Sequence, residues 1–597
     1  MLVAWIAAVA GVCSLAAAQN GSIGARYEAN WESLDKRPFP SWFNEARFGI
    51  FFCWGPYCVP GWAPRGTYAE WYGYSVPWER YPQPGNDSLT YQFHERVYGK
   101  DFKYEQFGPM MKAEMFDPDF WADLCARSGA KYVILSAKYH DGFSMWPDPY
   151  APGWNCMDVG PKRDVLGELT QAVRKRGLRM GIYFSLYEWF HPLWLSDRKR
   201  YVDEHYIPQF KDVVTKYKPC LIFADGEWEA DYKLWRSEEV LAWLFNESPV
   251  KDEVVVNDRW GNCRGSHGSF YESEYGGGNM PPTHPWQEDR GMGASYGYNR
   301  NESIFEYGSA ASMIRMLAKC AGNGGNLLID VGPTADGRIP VIMQERLLQI
   351  GDWLKVNGES IYGTKASPFW PKQLAWGTCT AKPGKLFFHI YDRPGDSIAL
   401  PLIKNKIGAA YFLADPARKP VKVKRTREAI KVVLPERLPD QADSVLVLEI
   451  QGEPEVERVI LRQQADGAVV LGAGSADIHG PTPRLEYQTP RGNIGYWGDP
   501  NDSVSWEFEI RKPGEFEVEL SYSCDDPAAG SEFTVSVGGQ AVEGRTKPTG
   551  GWNRFARESL GRIRLGKPGR YTLTVQPKSE PKWQAMGLES VTLRPMR

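Results

Sequence analysis

Several apolar runs of this chain end in residues that can move a proton or attack a carbon centre. KYVILSAK (131–138) runs into Tyr139, His140 and Asp141. RMGIYFSL (179–186) carries Tyr183, and CLIFAD (220–225) ends in Asp225. EVVVND (253–258) ends in Asp258 and is followed by Arg259, and SFYESEY (269–275) adds Glu272 and Glu274. Carboxyl groups from two different runs are the minimal equipment for glycoside hydrolysis. One carboxylate attacks the anomeric carbon, and a second carboxyl, kept protonated by its surroundings, protonates the departing oxygen. The residue types alone leave this open. An acidic residue at such a place also serves as a helix N-cap, His140 as a satisfied core histidine, and Arg259 as the partner in an ion pair.

The elements needed to bring these residues together are legible around them. From about 45 to 365, short apolar runs alternate with amphipathic stretches. RFGIFFCWG (47–55), the four runs above and NLLIDVG (326–332) lack the two-residue alternation of a half-exposed sheet, as expected of parallel strands covered on both faces. Helices are expected near 117–127, 165–176, 201–217, 237–246, 309–320 and 341–356. Repeated βα units predict a (β/α)8 TIM-like barrel or a doubly wound sheet. In a barrel, the strand ends just described would share one face, the C-terminal one, where such folds place their active sites. No glycine-rich phosphate loop follows a strand, which removes the fingerprint of a nucleotide-binding reading.

After Thr364 the pattern changes. Short strands at 385–391, 397–402, 409–413, 430–434 and 444–450, punctuated by Pro, Gly and Asp, predict an antiparallel β-sandwich over 366–453. Well-alternating segments at 506–510, 516–523, 532–539, 570–577 and 588–595 predict a second sandwich over 454–597, either a carbohydrate-binding module or a structural lid on the barrel. The expected architecture is thus an α/β barrel over 19–365 followed by two all-β sandwich domains.

Composition narrows the partners. The 70 basic and 73 acidic residues nearly cancel, to a net charge of −3, so no electrostatic footprint for nucleic acid is present. Tryptophan is abundant, at 24 of 597 residues. Indole faces suit flat apolar surfaces such as those of sugar rings, and they suit large aromatic cores equally well. Residues 1–18 read as a secretory signal peptide cleaved before Gln19, although the segment has no Lys or Arg; a lipid anchor at Cys13 is the weaker alternative. The rest of the chain has no run apolar enough to suggest a membrane span. The ten cysteines include no C-x-x-C pair, and the eight histidines form no H-x-H or H-E-x-x-H pattern, so neither a zinc site nor a metallohydrolase barrel is supported.

Longer motifs carry a resemblance. SGAKYVILSAKYHDGF (128–143), WNCMDVGPKRDVLGEL (154–169), LYEWFHP (186–192), WRSEEVLAWLFN (235–246), SPVKDEVVVNDRWG (248–261), GGNLLIDVGPTADG (324–337) and NGESIYGT (357–364) are together similar to glycoside hydrolase family 29, the α-L-fucosidases, in its tissue-fucosidase-like branch. The likeness is strong over roughly 30–365 and holds in outline over 366–450; the last 140 or so residues fall outside it. It implies a secreted retaining exo-glycosidase that removes terminal α-L-fucosyl residues. Asp225 would be the nucleophile and Glu274 the general acid/base, with Glu272 as fallback. His140 would hydrogen-bond sugar hydroxyls, Glu70 and Trp71 would contact the sugar's hydroxyls and face, and Tyr183 and Arg259 would flank the carboxyl pair. Trp228 and Trp260 would be pocket wall or support. The resemblance implies no metal and no organic cofactor. It implies fucosylated oligosaccharide, polysaccharide or glycoprotein glycan as substrate, a secreted, periplasmic or lysosome-like location, and homo-oligomers of the kind the family often forms.

The sugar pocket departs from the family pattern. Cys53, in FFCWG, stands where the family usually has His, and Tyr139, in KYHDGF, replaces the first of two histidines. In the family both reach sugar hydroxyls, including the axial one. Cys is a weak donor and Tyr carries a single hydroxyl. The family's SWGY stretch near the sugar methyl reads Ser295-Tyr296-Gly297-Tyr298. These changes predict retained fold and chemistry with a remodelled sugar subsite, suited to a substituted fucose or a related L-sugar such as L-galactose. A catalytically silent carbohydrate-binding homologue is the competing reading, and the presence of both Asp225 and Glu274 speaks against it.

Overall fold

The computed structural model describes residues 26–596 apart from 80–87, 371–373, 375, 427–428, 458–459, 481, 487–491 and 580–582. The signal-peptide reading of 1–18 and the anchor alternative at Cys13 lie outside the described residues.

Eight parallel strands form one curled sheet: β1 (Phe48–Phe52), β2 (Tyr132–Lys138), β3 (Arg179–Ser185), β4 (Leu221–Asp225), β5 (Val255–Val256), β6 (Tyr271–Glu274), β7 (Trp286–Gly291) and β8 (Asn326–Val331). Their hydrogen-bonded order is β5-β4-β3-β2-β1-β8-β7-β6, so each strand neighbours its sequence neighbours, β8 closes onto β1, and a seam remains between β5 and β6. This is the expected (β/α)8 barrel rather than a doubly wound sheet. β1, β2 and β8 are buried along their whole length, which accounts for their unbroken apolar text.

The connecting helices include Pro118–Ser128, Val165–Lys175, Ile207–Tyr217, Ser237–Asn246, Ala310–Gly322 and Val341–Asn357. Asp117, Asp164 and Ser309 cap three of them by accepting the backbone N–H of Phe120, Gly167 and Ser312. The segment expected as one helix over 201–217 begins instead with a π-helical stretch, Tyr201–Tyr206. Pro208 follows in the first turn of the α-helix. It has no N–H to offer and crowds the turn before it, which favours the wider winding.

The structure corrects one strand expectation and adds two strands that were not expected. The run 253–258 shortens to Val255–Val256 because the Asn257 side chain takes over the ladder: its Oδ1 accepts the Ala224 N–H at 3.0 Å and its Nδ2 donates to the Ala224 carbonyl at 2.8 Å. β6 (YESE) and β7 (WQEDRG) have no apolar run at all. Their inward positions carry carboxylates, so a search for apolar text passes over them.

Inside the barrel the side chains stack in layers. Tyr132 crosses the lower interior and donates to Gln287 Oε1 at 2.6 Å. It can do so because residue 49 is glycine, since a Cβ there would lie 2.3 Å from the Tyr132 ring. Above it Phe51, Tyr183 and Phe223 stack at centroid separations of 5.4, 5.6 and 6.2 Å. That aromatic layer is the floor on which the strand-end residues stand.

Two antiparallel sheets, with strands between Gly377 and Ile450, pack as a first sandwich. Its buried core includes Leu386, Phe388, Ile398, Ile430 and Leu448. It is tied to the barrel by Trp353 Nε1 donating to the Asp443 carbonyl at 2.9 Å and Arg315 Nε to the Ala442 carbonyl at 2.8 Å. Two further sheets, with strands between Leu461 and Pro595, enclose a separate core that includes Trp497, Trp506, Phe508 and Leu588. No helix among the described residues is long and apolar enough to cross a membrane.

Candidate active site

The C-terminal ends of the strands open onto a cavity of about 250 Å³. Each residue singled out in the sequence as a sugar-contacting or catalytic candidate lines it: Cys53, Glu70, Trp71, Tyr139, His140, Tyr183, Asp225, Arg259, Glu272, Glu274 and Tyr296.

Asp225 is the last residue of β4, on the same inward face as Phe223 two positions earlier. Its Oδ1 accepts Arg259 Nη1 at 2.7 Å, and its Oδ2 accepts the Tyr183 hydroxyl at 2.5 Å. Burial works to raise its pKa. Arg259, His140 and the hydrogen bonds from Tyr183 and the Gly226 backbone together outweigh burial and hold the carboxyl below its ordinary range. Gly226 turns the chain away at φ +74°; a Cβ there would meet the Tyr187 ring at 2.4 Å. The turn needs glycine on both counts.

Arg259 is the hub. Nε and Nη2 donate to the two oxygens of Glu272 at 2.6 and 2.9 Å, and Nη2 also reaches Glu274 Oε2 at 2.9 Å. Glu272 and Glu274 are two apart on β6, so both point inward. They differ in setting. Glu272 is buried and also accepts Asn257 Nδ2 at 3.1 Å. The Glu274 side chain is 30% exposed, at the mouth, where the Tyr68 hydroxyl lies 3.4 Å from its other oxygen. One guanidinium thus holds Asp225 on Nη1 and Glu274 on Nη2.

His140 is buried, with Nε2 3.5 Å from Asp225 Oδ2. Burial, with Arg259 and Lys138 nearby, brings its pKa down to about 4 against the pull of Asp225. Ser185 Oγ donates to the Tyr187 carbonyl at 2.6 Å, so it accepts from His140 Nδ1, also at 2.6 Å. The neutral imidazole therefore carries its proton on Nδ1 and turns an acceptor, Nε2, toward the cavity.

Next to His140 the pocket wall departs from the family pattern, the Tyr139 ring lying 4.3 Å from the imidazole. Cys53 Sγ lies 3.2 Å from the Tyr57 hydroxyl. Tyr139 stacks on Tyr183 at 5.6 Å, and its hydroxyl has no hydrogen-bond partner among the described residues. Glu70 accepts Gly297 N at 2.8 Å and Ser295 Oγ at 3.1 Å through one oxygen, while the other is buried without a partner. Burial raises the Glu70 pKa to about 7. Tyr296 is buried and donates to Asp289 Oδ2 at 3.1 Å.

Some strand-end residues stay out of the cavity. Asp141 accepts the Tyr104 hydroxyl at 2.7 Å, and Asp258 accepts the backbone N–H of Glu272 and Gly265, which fixes β6. Trp260 is fully buried support, with Nε1 donating to the Asn257 carbonyl at 2.9 Å, whereas Trp228 is an exposed wall.

One cluster escaped the sequence patterns. Ligand atoms of Glu188, His191 and His205 lie within 4.8 Å of one another. The set does not suit a metal. Lys138 Nζ sits 3.1 Å from the same Glu188 oxygen that His205 Nε2 contacts at 2.6 Å. His191 Nδ1 accepts the Leu193 N–H, which leaves the proton on Nε2, the nitrogen a metal would need. Burial opposes ionisation of Glu188, but His205 and Lys138 overcome it and hold the carboxyl well below the ordinary range. The cluster instead braces His140 from behind: Trp189 N, one residue past Glu188, donates to the His140 carbonyl at 2.8 Å.

Comparison with known proteins agrees with this geometry. The model of the family described as "Alpha-L-fucosidase" matches residues 14–359. Tissue alpha-L-fucosidase of Bos taurus is 45% identical over 349 residues, 57% of this chain and 72% of the relative. The chain belongs to the α-L-fucosidase family.

Among solved structures, the Thermotoga maritima alpha-fucosidase superposes with a TM-score of 0.61 at 34% identity, covering 71% of this chain and 100% of that one. The alpha-L-fucosidase from Vibrio sp. strain EJY3 reaches 0.64 over 93% of this chain and 97% of its own, at 22% identity, a likeness of fold that extends into the last sandwich. Sequence reading of this fucosidase-family chain missed four lining residues: Phe51, Tyr68, Phe223 and Asp289. Phe223 was within reach, because it sits two before Asp225 on one face. Asp289 was hidden with β7, and Tyr68 sits in the loop before Glu70, outside any periodic element.

Proposed function

We propose that this chain is a retaining exo-α-L-fucosidase acting on terminal α-L-fucosyl residues of fucosylated glycans by double displacement. The observation that carries the reading is Arg259 holding Asp225 and Glu274 on adjacent terminal nitrogens of one guanidinium. Asp225, ionised by its surroundings, attacks the anomeric carbon. The glycosidic bond breaks as Glu274 passes its proton to the departing oxygen, giving a covalent fucosyl ester on Asp225. Glu274, now ionised, removes a proton from water, which attacks the same carbon and frees Asp225. Tyr183 and Arg259 orient the nucleophile, and Glu272 positions Arg259. His140 Nε2 accepts a sugar hydroxyl, and Trp71 covers a ring face. The partly exposed setting of Glu274 favours it over the fully paired Glu272 as acid/base, because the proton donor must reach both leaving group and water.

A secreted or lysosome-like location fits this reading. The relatives this chain resembles include tissue and plasma fucosidases.

The test is hydrolysis of an aryl α-L-fucoside by wild type and Asp225→Gly, with the first-formed anomer followed by proton NMR. The reading expects α-fucose first from wild type and loss of turnover in the variant. Equal turnover, or β-fucose first, contradicts it.

A second reading concerns the sugar. Cys53 and Tyr139 replace two donors at the pocket's end, and the unpartnered Tyr139 hydroxyl offers a donor or acceptor to a substituent that plain fucose lacks. Aryl α-L-galactoside turnover matching or exceeding that of the fucoside supports the remodelled subsite. Full efficiency on fucoside alone, with no gain in Cys53→His, rejects it.

A further inference from the structure

The cavity has a polar interior and an aromatic door. Of the residues lining it, two are exposed, Tyr68 at 37% and Trp228 at 43%, and both are aromatic. They come from different segments, the loop before Glu70 and the turn after Asp225. Any group attached to the anomeric carbon must leave the pocket past them. Trp228 is held by its neighbours: its ring lies 5.3 Å from His140, 5.8 Å from Tyr187 and 6.2 Å from Trp71, nearly parallel to the last at 20°. An exposed indole fixed on three sides presents one free face to solvent. Tyr68 stands on the proton-donor side, its hydroxyl 3.4 Å from Glu274 Oε1 and its ring packed on Tyr296 at 5.6 Å.

We propose that Trp228 and Tyr68 form the leaving-group subsite, and that it takes an uncharged pyranose ring of the departing glycan. This rests on the retaining fucosidase reading, which fixes where the anomeric carbon lies. A pyranose offers an apolar C–H face to the indole and a rim of hydroxyls to the Tyr68 hydroxyl and Glu274. An aromatic wall facing a polar edge is complementary to that ring. Glu274, on the proton-donor side, disfavours sulfated or carboxylated sugars.

The test compares kcat/KM for three fucosyl donors in wild type, Trp228→Ala and Trp228→Phe. α-L-Fucosyl fluoride has no leaving ring, 4-nitrophenyl α-L-fucoside has a flat apolar one, and a fucosyl-galactose disaccharide has a pyranose. The expected result in Trp228→Ala is a fall of about tenfold in the ratio of disaccharide to fluoride turnover, the scale of one aromatic contact, with most of it recovered in Trp228→Phe. The ratio of aryl fucoside to fluoride should fall less. An unchanged disaccharide ratio overturns the subsite while leaving the fucosidase reading intact. A larger loss for the aryl donor assigns the wall to apolar leaving groups and overturns the pyranose assignment. Failure of wild type to turn over any of the three overturns both.

Discussion

Arg259 and Glu272 form a buried two-point ion pair, Nε to Oε2 at 2.6 Å and Nη2 to Oε1 at 2.9 Å. The pair fixes the plane of the guanidinium, and that plane aims Nη1 at Asp225 and the remaining reach of Nη2 at Glu274. Glu272 and Glu274 are therefore separable by experiment. Glu274→Ala should lose about 10²–10⁴-fold in kcat on donors with poor leaving groups, lose less on activated aryl donors, and recover with added azide, which needs no general base. Glu272→Ala should remove the two-point partner of Arg259 and leave Nε without its buried acceptor, while Asp225 and Glu274 still pair with the terminal nitrogens, at a cost of about 1–3 kcal/mol in denaturant unfolding, with no azide rescue. Azide rescue of Glu272→Ala instead would exchange the two roles.

Tyr183 donates to Asp225 at 2.5 Å, and hydrogen bonds to charged groups contribute about 1.5–3 kcal/mol. Tyr183→Phe should lower kcat/KM by roughly 10–100-fold. Because the hydrogen bond helps to hold Asp225 below its ordinary pKa range, its loss should move the acid limb of the pH–rate profile to higher pH. A pH series of kcat/KM checks both effects, and an unmoved acid limb would remove Tyr183 from the account.

Glu70 sets part of the pH dependence of stability. Its folded pKa is raised from 4.5 to about 7 by burial. Its stabilising contribution is thus fully present below about 4.5 and is lost as pH rises through about 7. His140, lowered to about 4, works in the opposite sense, its contribution being lost as pH falls from about 6.5 toward 4. Glu70→Gln should accordingly narrow the difference in thermal midpoint between pH 5 and pH 8. Scanning calorimetry at the two pH values checks this, and an unchanged difference would count against it.

Gly226→Ala places a methyl group against the Tyr187 ring at a φ that side chains rarely adopt. The conformational cost is about 1–2 kcal/mol and overpacking adds about 1–3. Since the turn directly follows Asp225, kcat should fall along with stability. A destabilised but fully active variant would show that the turn does not position the nucleophile.

The sequence made the barrel visible where its strands are apolar and hid it where the strands work. β1, β2, β3, β4 and β8 lie close to their apolar runs, whereas β6 and β7 carry Glu272, Glu274 and Asp289 on their inner faces and read as loop. β5 ended early because a side chain, that of Asn257, does the work of backbone pairing. Most of the site was legible because its residues lie on or just past strand ends, whereas Glu70 and Trp71, on the short 3-10 helix Ala69–Ser75, were reached only through the resemblance. Tyr68 was not legible, since it lies in a loop outside any periodic element, and although Glu188 and His191 fall within LYEWFHP, only folding brings His205 beside them.

The central claim is that Asp225 forms a covalent bond to the sugar. Its most direct test is to incubate the protein with 2-deoxy-2-fluoro-α-L-fucosyl fluoride, which slows release of the intermediate, and to map the adduct by peptide mass spectrometry. The account predicts one deoxyfluorofucosyl group per chain, esterified to Asp225. An adduct on another carboxylate, or steady turnover with no adduct and β-fucose released first from the natural donor, would contradict it.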